Sequence, residues 1–130
     1  MMMMVDYGVR RVLVVEDDER VRGALCDYLV ELGFMAEAAA SGTEAIARFE
    51  RDAFRLVVAD YKMPGLSGLD VVKQMRARDP EQPVLIVSGY AREFAWEARA
   101  LGIPVLPKPV DFGVFAQVVE GITTESGPQP

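Results

Sequence analysis

The stretch Val12-Leu13-Val14-Val15-Glu16-Asp17-Asp18-Glu19 passes without a break from four apolar residues, three of them β-branched, into four acids. A continuous apolar run that short reads as a strand buried on both faces. Leu56-Val57-Val58-Ala59 and Val84-Leu85-Ile86-Val87 repeat the pattern and end in Asp60 and in Ser88-Gly89. Phe34-Met35-Ala36-Glu37-Ala38 is a weaker strand. Val105-Leu106 is held between Pro104 and Pro107, and because proline cannot donate to a ladder this last strand is expected at a sheet edge.

Between these runs the apolar period changes to that of a helix. Val21, Ala24, Leu25, Tyr28, Leu29 and Leu32 share one face, and Gly33 stops it. Asp18 or Glu19 is expected to cap this first helix. Ser41 with Glu44 predicts a capping box for a helix that buries Ala45, Ile46 and Phe49. Ser67 with Asp70 starts a third, with Leu69, Val72 and Met75 inward. Phe94, Ala95, Ala98 and Leu101 form a fourth, ended by Gly102, and Asp111 caps a fifth that buries Val114, Phe115, Val118, Val119 and Ile122. Five β–α units with short right-handed crossovers predict a doubly wound parallel sheet. With the three continuous runs central, the strand order is 2-1-3-4-5, and the working site lies beyond the carboxyl ends of strands 1 and 3. Residues 1–9 read as an N-terminal extension, 10–123 as one domain, and the polar, Pro/Gly-rich 124–130 as a disordered tail.

Composition narrows the chemistry. A chain of 130 residues with 51% hydrophobic and 26% charged residues is a globular single domain. Fourteen basic against twenty acidic residues give a net charge of −6, with no basic cluster, which disfavours nucleic acid and anionic membranes as partners. The single Cys26 excludes an intrachain disulfide and an all-cysteine metal site. The absence of histidine removes Ser-His-Asp and Cys-His catalysis, zinc held by imidazole, and phosphohistidine formation on this chain. No run reaches the length of a membrane span, and Met1–Val5 is too short for a signal-peptide core, so a cytoplasmic location is expected.

The predicted strand ends deliver a distinctive set to one crevice: Glu16 and Asp17 from strand 1, Asp60 from strand 3, Ser88 from strand 4 and Lys108 from strand 5. Each residue taken singly has a plainer reading. Acids after a strand often cap the next helix, Asp60 precedes the turn Met63-Pro64-Gly65, and a serine at a loop start is commonplace. Lys108, fixed between Pro107 and Pro109, is held toward the crevice, and the Lys108–Pro109 bond is a candidate cis peptide. Three carboxylates a few ångströms apart repel one another unless a hard cation joins them, and an oxygen-only set fits Mg²⁺ or Mn²⁺.

In spacing and order, Glu16-Asp17, Asp60 with Met63-Pro64-Gly65, Ser88 and Lys108-Pro109 resemble the receiver domain of bacterial two-component response regulators, over about residues 10 to 123. The resemblance implies the flavodoxin-like three-layer (βα)5 sandwich of that family. It implies that Asp60 accepts a phosphoryl group from a sensor histidine kinase or phosphotransfer protein. Glu16, Asp17, Asp60 and the backbone carbonyl of Lys62 would hold the Mg²⁺. Ser88 would hydrogen-bond the phosphoryl group and Lys108 pair with it, switching a surface of helix 4, strand 5 and helix 5 for an unidentified output protein. The only chemistry implied is self-phosphorylation and slow hydrolysis, in a stand-alone receiver that is a monomer or weak dimer.

One feature departs from the family pattern. Many receivers carry an aromatic residue three positions before the lysine on strand 5 that changes rotamer with activation; here the position is Val105. Tyr90, two residues after Ser88, is a substitute if it folds over the site, and otherwise an exposed loop tyrosine. Lys62 and Tyr90 are both placed to influence the lifetime of the aspartyl phosphate. Trp96 lies off the apolar stripe of helix 4, either as a partner anchor or as a half-buried surface residue. Three rival readings stand beside this one. An aspartate-nucleophile phosphohydrolase of the haloacid dehalogenase type needs an acid where Lys62 stands. A flavin or nucleotide module needs a Gly/Ser/Thr-rich cradle where Glu16–Glu19 stand. A phosphorylation-independent interaction module is the remaining alternative, although none of the expected acids, nor the lysine, is missing.

Overall fold

The structure is a computed structural model and describes residues 10–125. Strands and helices alternate in the order β1 (Arg11–Val15), α1 (Glu19–Glu31), β2 (Met35–Ala39), α2 (Gly42–Arg48), β3 (Leu56–Asp60), α3 (Gly68–Arg78), β4 (Val84–Ser88), α4 (Ala91–Ala100), β5 (Val105–Pro107) and α5 (Phe112–Glu125). The strands pair in parallel in the order β2-β1-β3-β4-β5, with the weak second strand and the proline-bounded fifth at the edges, as their sequences predict.

Because side chains alternate across a strand, each central strand supplies two cores. Leu13, Val15, Val57, Ala59, Val84 and Ile86 meet Ala45, Phe49, Leu69, Val72, Met75 and Ala98 on one face. Val12, Val14, Leu56, Val58, Leu85 and Val87 meet Leu25, Leu29, Phe115 and Val119 on the other. Continuous rather than alternating apolar runs are what a sheet covered on both faces requires.

The helix ends follow the residues read for them. Asp18 accepts from the N–H groups of Arg20 and Val21 and caps α1, and Gly33, at φ 91°, follows its last turn. Ser67 and Asp70 form a reciprocal capping box on α3. The Asp111 carboxylate accepts from the N–H of Val114. At α2 the box is displaced: Ser41 accepts from the N–H of Glu44, but the Glu44 carboxylate reaches one residue further back, to the N–H of Ala40.

Several expected core positions are corrected. Ala24 on α1 and Ala95 on α4 are exposed, Leu101 is 37% exposed and Val114 46% exposed. In each helix the sheet is reached by a narrower stripe, Leu25 and Leu29 in α1 and Phe115 and Val119 in α5, and residues one step round lie on the rim. Val118, Ile122 and Ile46 are half-buried. The side chain of Phe94 lies outside the described residues. Thr124 and Glu125, read as the start of the tail, complete the last turn of α5; residues 1–9 and 126–130 lie outside the described residues.

One close approach fixes the end of β3. The N–H of Gly68 donates to the carbonyl of Tyr61 at 2.7 Å, bringing the first turn of α3 so near that a Cβ at position 68 would collide with the backbone carbonyl of Asp60. Gly68→Ala is expected to lower the unfolding free energy by about 2 kcal/mol, the usual cost of overpacking against unyielding backbone, read as a lower urea midpoint. An unchanged midpoint would contradict that packing.

Candidate functional site

Strand parity decides which side chains meet. Continuing the alternation of Val12 and Val14, Glu16 leaves the sheet on the α1/α5 side. Asp60 follows Leu56 and Val58 to the same side, and Lys108 follows Leu106. Backbone bonds hold these three positions in register. The N–H of Glu16 donates to Ala39 O on β2 at 3.1 Å, that of Tyr61 to Val87 O on β4 at 3.3 Å, and that of Lys108 to Ser88 O at 3.0 Å. The Lys108–Pro109 peptide is cis, as the sequence suggested.

The Lys108 ammonium therefore stands between two carboxylates, 2.8 Å from Glu16 Oε1 and 3.3 Å from Asp60 Oδ1. Glu16 is 0% and Asp60 5% exposed. The second oxygen of Glu16 accepts from the N–H of Asp18. Burial pushes both carboxyls above the usual carboxylate range, and the contacts with Lys108 offset this only in part. Burial alone would lower the Lys108 pKa, but its hydrogen bond to Glu16 and the charge of Asp60 more than offset that and raise it. Asp17 is exposed at the rim, and one carboxylate oxygen each from Glu16, Asp17 and Asp60 lie within 4.8 Å of one another. An all-oxygen set of three acids with an open side fits a hard divalent cation.

The remaining expected residues are placed differently. Ser88 is buried, but it follows Val84 and Ile86 in parity, which belong to the opposite core. Its hydroxyl accepts from the N–H of Tyr90 at 2.9 Å, so it closes its own loop. Tyr90 is 45% exposed, and its ring carries the Lys62 ammonium 4.3 Å from the centroid; the two residues beside the mouth are joined by a cation–π contact. Val105 is half-buried against the core shared with Ile86 and Ala98. Trp96 is 74% exposed, which rules out the half-buried reading.

Two supporting residues escaped the sequence reading. Arg22 donates to the carbonyls of Glu16 at 2.9 Å and Asp17 at 3.4 Å, holding the acidic loop from one turn into α1. Its only signal was an arginine one turn beyond the capping Asp18. Gly68 is the other, its role visible only in the approach of α3 to Asp60.

A family profile described as response regulator receiver domain matches residues 12–120. The chain belongs to that family. This receiver is 40% identical over 111 residues to the response regulator protein FleR of Pseudomonas aeruginosa, covering 84% of this chain and 24% of FleR. Among solved structures it resembles the non-phosphorylated HemR receiver domain of Leptospira biflexa, with TM-score 0.85, 27% identity, and coverage of 92% of this chain and 98% of that one. It also resembles the response regulator protein TrrA of Thermotoga maritima in complex with Mg²⁺ and BeF, with TM-score 0.76, 26% identity, and coverage of 86% and 97%. The chain spans between 17% and 54% of the length of the first curated relatives it matches. No helix among the described residues is long and apolar enough to cross a membrane.

The charge balance gives two opposite expectations. Because the folded Asp60 carboxyl titrates above its unfolded value, its ionised form costs stability above that raised pKa, and the cost vanishes below about pH 4, where the carboxyl is protonated in the unfolded chain as well. Asp60→Asn is therefore expected to raise the urea midpoint at pH 7 and to leave it unchanged near pH 3. Lys108→Met leaves two buried acids without their cation. It is expected to cost roughly 3 kcal/mol at pH 7, a loss that shrinks as acid protonates both carboxyls. Equal effects at both pH values would contradict the arrangement.

Proposed function

We propose that this receiver accepts a phosphoryl group on Asp60 from a phosphohistidine donor, a sensor histidine kinase or phosphotransfer protein, and signals by changing the surface around α4, β5 and α5. The observation that carries the reading is the Lys108 ammonium lying within 3.3 Å of Asp60 Oδ1 at a strand end shared with two further acids. A buried carboxylate whose charge is already opposed by a fixed cation can act as a nucleophile without a general base, since it has no proton to lose.

An Asp60 oxygen attacks phosphorus as the donor nitrogen departs in line with its electron pair, leaving a mixed anhydride on Asp60. Charge gathers on the three equatorial phosphoryl oxygens, and Lys108 supplies a preorganised donor to it. Glu16, Asp17, Asp60 and, by the family pattern, the carbonyl of Lys62 would hold Mg²⁺, which neutralises phosphoryl charge when bound. Glu16 also keeps Lys108 oriented. Arg22 keeps the acidic loop fixed through its carbonyl contacts, so the acids need not rearrange during transfer.

The added phosphoryl group brings new acceptor oxygens to the site. Ser88, whose hydroxyl is turned to the Tyr90 N–H in the unmodified protein, would turn to donate to one of them. That movement draws in the loop that begins α4. With Val105 in place of an aromatic side chain, the relay passes through the loop and α4 and needs no ring rotation. Lys62 and Tyr90 act as a pair at the mouth and tune how long the anhydride survives water. A groove of about 600 Å³ beside Lys108 and Pro109, lined along α1 by Val21, Ala24 and Tyr28, offers the donor protein an apolar seat next to the nucleophile. No separate catalytic activity is proposed beyond phosphoryl acceptance and autodephosphorylation.

The test is intact mass after incubation with acetyl phosphate and Mg²⁺. One added phosphoryl group is expected, absent in Asp60→Asn and absent after chelation of the metal. Modification that persists in Asp60→Asn would refute the assignment of the acceptor.

A further inference from the structure

Arg22 stands one turn into α1 and is half-buried. Helical side chains lean towards the amino end of their helix, and this one doubles back over the loop that carries Glu16, Asp17 and Asp18. Among the described residues it nevertheless forms no ion pair with any of these acids. Its Nη1 donates instead to Glu16 O at 2.9 Å and, more weakly, to Asp17 O at 3.4 Å. The guanidinium is committed to neutral carbonyls, and the Asp17 carboxylate is left with no hydrogen bond or ion pair among the described residues.

The turn itself is held by other bonds. The N–H of Asp18 donates to Glu16 Oε2 at 3.2 Å, the N–H of Arg22 donates to Asp18 O at 2.8 Å, and the Asp18 carboxylate caps α1. Removing the Arg22 guanidinium therefore frees two carbonyl oxygens without unmaking the turn. Both oxygens belong to residues whose carboxylates would hold a divalent cation. Mg²⁺ keeps several of its waters in near-octahedral geometry and takes one or two carboxylates. Ca²⁺ gathers about six to eight oxygens at longer distances, backbone carbonyls among them.

We propose that Arg22 makes the acidic loop selective for Mg²⁺ over Ca²⁺ by keeping the Glu16 and Asp17 carbonyls occupied. It is a positioning residue, acting on the cation through the loop. A ratio of affinities isolates this role. The positive charge of Arg22 opposes both divalent cations alike and cancels in the ratio, whereas freed carbonyls favour only the larger ion. The inference rests on the cation site of the proposed function and on no later step of it.

The experiment uses the unphosphorylated full chain with Mn²⁺ as the probe. Free Mn²⁺ is read by electron paramagnetic resonance while Mg²⁺ or Ca²⁺ displaces it. The wild type is expected to bind Mn²⁺ and to release it to Mg²⁺ at lower concentration than to Ca²⁺. Arg22→Met keeps the apolar stem and removes the donors. It is expected to shift the ratio of affinities towards Ca²⁺ by roughly tenfold, the scale of one net hydrogen bond. Arg22→Lys, a single point donor, should fall between the two, and it decides alone if the metal-free thermal midpoint shows Arg22→Met unfolded. A wild type that prefers Ca²⁺ would overturn the proposal. So would an unchanged ratio in the variants, whether both affinities rise or fall together. Failure of the wild type to bind Mn²⁺ at all would overturn the cation site itself, and the selection with it.

Discussion

Three carboxylates at the end of one sheet are a liability before they are a site. Two of them, Glu16 and Asp60, are almost wholly removed from water, where an unpaired charge is costly. The Lys108 ammonium, touching both, makes the arrangement tolerable, and the raised carboxyl pKa values show that it does so incompletely. The residual strain is electrostatic and local, and a divalent cation or a change of charge on Asp60 acts directly upon it.

Lys108 is brought to that position by the backbone and oriented there by its two carboxylate contacts. Its N–H is bonded to Ser88 O, the last rung between β4 and β5, and the same parallel ladders set the register of Glu16 and Asp60. The apolar runs thus do two things at once. They bury both sheet faces, and they fix the parity by which three charged side chains emerge on one side and Ser88 on the other. On the proposed function, Ser88 reaches a phosphoryl group on Asp60 only if its loop shifts.

The strand order was legible because Val12–Val15, Leu56–Ala59 and Val84–Val87 are continuous apolar runs and Val105-Leu106 is bounded by prolines. The acids and Lys108 were legible because they stand where those runs stop. Rim residues such as Ala24, Ala95 and Val114 were not, since a helical period marks an apolar stripe without saying how wide a strip of it the sheet covers. The partner of Ser88 was not legible because its place at a strand end says nothing of its face, and parity with Val84 and Ile86 turns it away from Asp60. The contacts of Arg22 with Glu16 and Asp17 and of Gly68 with Asp60 and Tyr61 are short in sequence, but they depend on how each loop folds back against the helix that follows it, which no apolar period encodes. Lys62 and Tyr90 were each noticed, but their stacking depends on how two loops converge.

The proposed function requires the acidic cluster to be a cation site under tension. The most direct measurement is the thermal midpoint of the unmodified protein titrated with Mg²⁺, beside Asp17→Asn, which removes the one exposed carboxylate of the three and leaves the Lys108 contacts intact. A midpoint that rises with Mg²⁺ and saturates is expected for the wild type, as for any ligand that binds only the folded state, with the response much weakened in Asp17→Asn although its metal-free midpoint is not lowered. A wild-type midpoint indifferent to Mg²⁺, or an equal response in both proteins, would contradict it.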